Sequence, residues 1–286
     1  MVEETLPEGG AKPMQTIPAE QDKEKNLGNH ESNAWLNPDG KALLTVMVQA
    51  HDPKRIKELM TKSLPEGAEA FGIQLEQLEP EYRSKEVYRD LFSSTYGKLS
   101  YVTNYRGHKN EGKSDEQLGQ ELLEAAGCGA VLCDMMGDYY DPQPGEMTYQ
   151  EEAVKKQQEL IAQLHEQGAK VLMSSHVFQF MTAEKVLEIA LEQQRRGADV
   201  CKIVAGAETM EQQLENLKII HMLKEKLSIP FLFLSTGQCS LMRRIGGELG
   251  CCMYLCVHEY DELATAVQPL LKDVKELRDG LRLVRE

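Results

Sequence analysis

The stretch from Val171 to Gly206, VLMSSHVFQFMTAEKVLEIALEQQRRGADVCKIVAG, decides the fold. VLMSSH and VCKIVAG are apolar, β-rich runs, and TAEKVLEIALEQQRRG between them carries apolar residues at helical spacing and closes on glycine. A strand, about sixteen residues of amphipathic helix and a second strand make a right-handed parallel crossover. His176 ends the first strand and Lys202 lies in the second, so the unit brings an imidazole and an amine together at adjacent strands.

The same couplet repeats on both sides. ALLTVMVQA leads to DPKRIKELMTKSL, with Asp52 and Pro53 as an N-cap and first-turn signal. AFGIQLEQL leads to EVYRDLFSST, KLSYVTNY to SDEQLGQELLEAAG, and AVLCDMM to TYQEEAVKKQQELIAQLHEQG. Beyond Gly206 a long helix, PFLFLST, the short LMRRIGGELG segment, MYLCV and DELATAVQPLLKDVKELRDG complete the series. Eight βα units in about 245 residues fit a closed (β/α)₈ TIM barrel better than an open doubly wound sheet. The thin places are the eighth strand and the glycine-rich seventh helix. We therefore expect one barrel domain over residues 41–286 behind a polar N-terminal arm, residues 1–40, whose Trp35 anchors its end to the barrel.

Composition narrows the function. The 286 residues hold 46 acidic and 32 basic side chains, a formal charge of -14, which disfavours nucleic acid and anionic membrane as partners. The seven cysteines show no zinc or redox spacing, as in a reduced, cytoplasmic protein. No apolar run reaches the ~18 residues of a membrane span, and the start, MVEETLPEGG, is acidic where a secretory signal would be basic. An enzyme or a small-molecule binder remains.

In such a barrel the reactive groups belong at the C-terminal ends of the strands. Strand 3 runs into Arg106, His108 and Glu111, strand 4 into Asp134 and Asp138, and strand 7 into Arg243 and Arg244. Lys202, flanked by apolar residues, reads either as an amine able to attack a carbonyl and form a Schiff base or as a lysine paired with a carboxylate such as Asp134. His176 reads as a general acid and base or as a satisfied structural imidazole. Glu111 could orient it as the third member of a triad-like set. GGELG lacks the spacing of a phosphate loop and reads as helix packing. Asp134, Asp138 and Asp141 read equally as a capping and loop cluster or as ligands for a divalent cation.

From about Tyr101 onward the chain resembles the type I 3-dehydroquinate dehydratases, Schiff-base (β/α)₈ enzymes of the shikimate and quinate pathways. TNYRGHKNEG, VLMSSHVF, ADVCKIV, SLMRRIGGELG and ATAVQP carry the resemblance, in family order and at nearly family spacing. It implies that Lys202 is the Schiff-base lysine, His176 the proton-transfer histidine and Glu111 the carboxylate that steadies it. It further implies that Arg244 pairs the substrate carboxylate, a task suited to a bidentate guanidinium, and that Gln268, Arg106 and Asp134 line the substrate. The implied reaction is dehydration of 3-dehydroquinate, an anionic cyclic keto acid, to 3-dehydroshikimate, by a homodimer without metal or organic cofactor.

The first quarter of the barrel departs from the family pattern. On strand 2 the family usually places Glu-x-Arg-x-Asp facing the substrate, whereas Gln74, Glu76 and Leu78 stand here. The strand 3 loop is one residue longer between Arg106 and Glu111, and Thr265 is the nearest hydroxyl to the family's loop serine. A Schiff-base dehydratase, aldolase or lyase for a different polyhydroxy keto acid is therefore a second reading, and a non-catalytic barrel that holds a small carboxylate through Arg244 a third.

Overall fold

The structure, a computed structural model, describes Leu36 and residues 39–281. Trp35 and the rest of the arm before Leu36 lie outside the described residues. Eight strands, β1 (Leu43–Val48), β2 (Ala70–Gln74), β3 (Leu99–Thr103), β4 (Leu132–Met136), β5 (Lys170–His176), β6 (Val200–Gly206), β7 (Phe231–Thr236) and β8 (Met253–Cys256), alternate with eight α-helices. The helices are α1 (Pro53–Ser63), α2 (Lys85–Ser93), α3 (Asp115–Gly127), α4 (Glu151–Glu166), α5 (Ala183–Arg196), α6 (Met210–Lys226), α7 (Met242–Leu249) and α8 (Leu271–Gly280).

Local chemistry fixes where the helices start. Asp52 Oδ1 accepts from the Arg55 amide at 3.0 Å with Pro53 in the first turn, and Ser114 and Gln117 close a reciprocal capping box on α3. Each arrangement satisfies amides that the first helical turn leaves without partners. Between α5 and β6 the chain reverses at Gly197, whose φ of 102° suits a residue without Cβ.

All ladders are parallel, in the order β7-β6-β5-β4-β3-β2-β1-β8. The (β/α)₈ barrel is nearly closed. Between β7 and β8 no ladder forms; the edges meet where the Cys252 amide donates to Phe231 O at 2.9 Å. Beside that bond the Cys251 thiol stands in for a backbone partner, accepting from the Phe233 amide at 3.4 Å and donating to Phe233 O at 3.6 Å. Burial pushes this thiol up to about 12, so it remains an S–H donor. The weak junction coincides with the two elements the sequence marks as thin, since β8 has four residues and α7 eight.

Strand register carries one face of each strand into the barrel interior. Ser174 pairs in register with Lys202, Tyr101 with Leu132, Gly72 with Tyr101 and Gln74 with Thr103. Gly72 makes room for the large ring beside it: a Cβ there would collide with Met47 and lie 2.9 Å from the Tyr101 ring. Tyr101 thereby reaches inward to the centre of the barrel, where the polar groups gather.

Candidate active site

Lys202 is 3% exposed, and an isolated ammonium there would be costly. Its Nζ donates to Tyr105 Oη at 2.6 Å, Asp134 Oδ2 at 3.0 Å and Tyr101 Oη at 3.2 Å. Both phenols donate to Asp134 Oδ2, and Ser174 donates to its other oxygen. Burial opposes the charged form of Asp134, but Lys202, His176 and the surrounding hydroxyls outweigh it and hold the carboxyl below the usual range. Burial first and the Asp134 charge second raise Tyr101 and Tyr105 well above the ordinary phenol value, so both are neutral donors. The two readings of Lys202 thus meet in one place: the amine is paired with Asp134 and still sits at the active face of the barrel.

His176 ends β5 one turn of the strand above Ser174 and, through its rung partner Val204, above Lys202. Tyr105 joins the two, since its hydroxyl touches Lys202 and its ring meets the imidazole edge-on at 5.0 Å. The partner expected from Glu111 comes instead from Glu146, in the loop between β4 and α4. Glu146 Oε2 lies 2.6 Å from His176 Nδ1 and accepts from the His176 amide at 3.0 Å. A carboxylate only accepts, so Nδ1 carries the proton and Nε2 is left as the basic nitrogen. Glu146 holds a φ of 52° immediately after Gly145 at 92°. That conformation is strained for a residue with a side chain, and it persists where surrounding contacts over-determine it; here Ser175 Oγ also donates to Glu146 O at 2.9 Å.

Glu111 fails to reach His176 because of how its loop folds. The turn His108–Asn110 tucks Asn110 inward, where it donates to Asn104 Oδ1 at 2.8 Å and Tyr105 O at 2.7 Å. The next residue, Glu111, is left exposed. Arg106 is likewise engaged elsewhere. It clamps Asp115 through two nitrogens at 2.8 and 2.7 Å and Asp138 at 2.8 Å. With Tyr101, Thr103 and Tyr105 on the inward face, Arg106 falls on the opposite side.

On strand 2, Gln74 is buried at the end of β2 and Glu76 is 2% exposed in the turn that follows. Both Glu76 oxygens lie 2.9 Å from Thr103 Oγ1, and no cation faces them among the described residues. Burial pushes this carboxyl up to about 7, against the hydrogen bonds that favour its charge. At the other side of the mouth Arg244, in the first turn of α7, is exposed, and its guanidinium makes no ion pair with a described residue. Arg243 beside it is buried, lowered by burial to about 10, and donates to Ser235 O at 2.7 Å. In the loop before α8, Thr265 accepts from Gln49 Nε2 at 2.9 Å, and its amide donates to Gln49 Oε1 at 3.0 Å. Gln268 is buried, and its Oε1 has no partner among the described residues.

The aspartates in and after β4 divide among separate tasks. Asp134 holds Lys202, Asp138 holds Arg106 and Asp141 accepts from Thr148. Among the described residues no group of three His, Cys, Asp or Glu is placed to hold a metal ion. No described helix is long and apolar enough to cross a membrane.

Residues 44–285 match the family described as Type I 3-dehydroquinase. The chain belongs to the type I 3-dehydroquinase family. It is similar to the 3-dehydroquinate dehydratase of Alkaliphilus oremlandii, 33% identical over 92 residues, 32% of this chain and 36% of that protein. The enzyme of the same name from Lactiplantibacillus plantarum is 28% identical over 159 residues, 55% of this chain and 60% of that protein. The matched stretches therefore span less than two thirds of either relative. A solved type I 3-dehydroquinate dehydratase from Clostridium difficile, with covalently modified comenic acid, shares the fold at a TM-score of 0.70 and 14% identity, over 84% of this chain and 92% of that one.

Within this type I 3-dehydroquinase fold, sequence reasoning missed Glu146, Tyr101, Tyr105 and Gln49. The tyrosines were signalled by their alternation with Thr103 in YVTNY, which continues the inward phase of β3 past its last ladder pair. Glu146 had only the turn-forming Pro144 and Gly145 to mark a sharp loop. Neither residue type nor spacing linked it to His176.

Proposed function

We propose that this family member is a Schiff-base hydro-lyase that converts 3-dehydroquinate to 3-dehydroshikimate. The observation that carries the reading is the buried Lys202 amine in contact with Tyr105, whose ring also packs on His176. Lys202 condenses with the C3 ketone, releasing water and leaving an iminium. The iminium is the electron sink that acidifies the C2 proton, so the mechanism calls on no metal or organic cofactor. His176 Nε2 takes that proton while Glu146 steadies the imidazolium that forms. The C1 hydroxyl then departs with its bonding pair, receives the proton from His176 and leaves as a second water. A third water hydrolyses the imine, restoring the amine and freeing the product.

Arg244, exposed at the mouth and without an ion pair among the described residues, is the guanidinium this reading assigns to the substrate carboxylate. Gln268 Oε1, buried and without a partner among the described residues, is in this reading an acceptor for a substrate hydroxyl. Borohydride reduction in the presence of 3-dehydroquinate, followed by intact-mass measurement and peptide mapping, tests the reading. One adduct on Lys202, absent from Lys202→Ala together with turnover, is the expected result. No adduct at saturating ligand, or full activity in Lys202→Ala, overturns it.

The strand 2 face favours a second reading in which the chemistry is the same and the substrate differs. Glu76 stands where the family usually has a cation, and Arg106 is held by Asp115 and Asp138. A carboxyl at that wall suits hydroxyls or an amine better than an anionic group. Trapping on Lys202 by another polyhydroxy keto acid, and not by 3-dehydroquinate, is the outcome that selects it.

A further inference from the structure

We propose that Tyr105 is the proton carrier of imine formation, moving protons between Lys202 Nζ and the ketone oxygen of the substrate. The inference rests on the Schiff-base reading and adds to it a catalytic group and a division of labour. Three observations carry it. Tyr105 Oη is nearer to Nζ than Asp134 or Tyr101, at 2.6 Å against 3.0 and 3.2 Å. The same hydroxyl donates to Asp134, so it accepts from the amine and gives to the carboxylate along one hydrogen-bonded line. Finally, Tyr105 is partly exposed while Tyr101 is fully buried, which sets Tyr105 at the boundary between the amine and the mouth of the barrel.

The proton balance explains why such a group is needed. Condensing an ammonium with a ketone gives an iminium and water, so nitrogen loses two protons and oxygen gains two. In the first half the nitrogen lone pair forms the C–N bond and the C=O π pair moves to oxygen. In the second half the C–O bond breaks, its pair leaves with oxygen, and the remaining nitrogen pair forms C=N. A phenol that gives its proton to oxygen and recovers one from nitrogen, once in each half, closes the balance without an outside acid or base. Asp134 keeps its charge throughout and faces the cation that remains on nitrogen. His176 is bound through Nδ1 to Glu146, and its free nitrogen is reserved for the proton on carbon. Burial keeps the Tyr105 phenol protonated, so it enters the step neutral and gives its proton to oxygen only as it takes one from nitrogen.

The test is the rate at which borohydride traps the adduct after mixing with 3-dehydroquinate, comparing wild type with Tyr105→Phe. The adduct on Lys202 should reach the wild-type yield at a rate lower by about 10²-fold, the lower end of what a positioned acid or base contributes. kcat should fall with it and KM change little. Tyr101→Phe, farther from Nζ at 3.2 Å and fully buried, should slow trapping less. Incorporating 3-fluorotyrosine at position 105 keeps the shape and makes the phenol more acidic, so the trapping rate should change with that acidity. That measurement decides the matter if Tyr105→Phe does not fold. Trapping at the wild-type rate in Tyr105→Phe, or a trapping rate unmoved by 3-fluorotyrosine, overturns the carrier role and leaves the Schiff base intact. No adduct in the wild type removes the Schiff-base reading and this inference with it.

Discussion

Replacing Glu146 by Gln removes one charge from the partner of His176 while keeping the size of the side chain. The bond concerned, 2.6 Å from Oε2 to Nδ1, is charge-assisted and strengthens when the imidazole takes up a proton. Hydrogen bonds to charged groups contribute about 1.5–3 kcal/mol. Since each 1.36 kcal/mol is a factor of ten in rate, kcat should fall about 10- to 150-fold. The loss belongs mainly in kcat, because the interaction matters most in the state where His176 carries the extra proton, and KM should move little. Steady-state kinetics on 3-dehydroquinate measure both, with near-ultraviolet circular dichroism and the thermal midpoint checking that the barrel is intact. Glu111→Gln is the companion, because Glu111 is the position the family resemblance points to. Exposed and away from His176, it should change activity by no more than about twofold, as surface substitutions do. If Glu146→Gln works at the wild-type rate while Glu111→Gln loses tenfold or more, the carboxylate that serves the working enzyme comes from the strand 3 loop, and the argument for Glu146 fails.

Glu76 makes stability depend on pH. Its carboxyl is raised by burial from 4.5 to about 7, so across that window the native state holds a proton that the unfolded chain has lost. Stability should therefore fall as pH rises from about 4.5 to about 7, by on the order of 3 kcal/mol, and Glu76→Gln should flatten the slope. Urea unfolding at about pH 5 and about pH 8 reads this directly, and an equal slope in the two proteins contradicts it. Arg106→Ala leaves Asp115 and Asp138, both largely buried, without their cation. We expect a loss of about 3 kcal/mol in denaturant unfolding and a minor change in KM; the reverse pattern would return Arg106 to the substrate site.

The barrel was legible because alternation of strand and helix is a long-range regularity that survives divergence, and strand-end placement then brought Lys202 and His176 to one face. What surrounds them depended on single-residue phase. Arg106 and Tyr105 are neighbours, yet only the one in step with Tyr101 and Thr103 turns inward, and the extra residue in TNYRGHKNEG falls after Arg106, in the loop that leaves Glu111 exposed. The strand 7 loop behaves alike: Met242, Arg243 and Gly246 form the buried side of α7, which leaves Arg244 exposed. Glu146 was illegible for a different reason. It lies in an irregular loop, and its approach to His176 depends on a left-handed backbone whose stability comes from contacts distant in sequence.

The barrel seam has a mechanical meaning. Seven ladders and a single backbone bond make this less a ring than a sheet rolled until its ends touch. β7 and β8 are then terminal strands, and α7, which packs against both, works as a clasp across the join. Arg244 rides on that clasp. The strands that hold Lys202, Asp134 and His176, by contrast, are laced on both sides. The molecule thus has its thinnest backbone join on the side that carries Arg244 and its continuous ladders where Lys202, Asp134 and His176 stand.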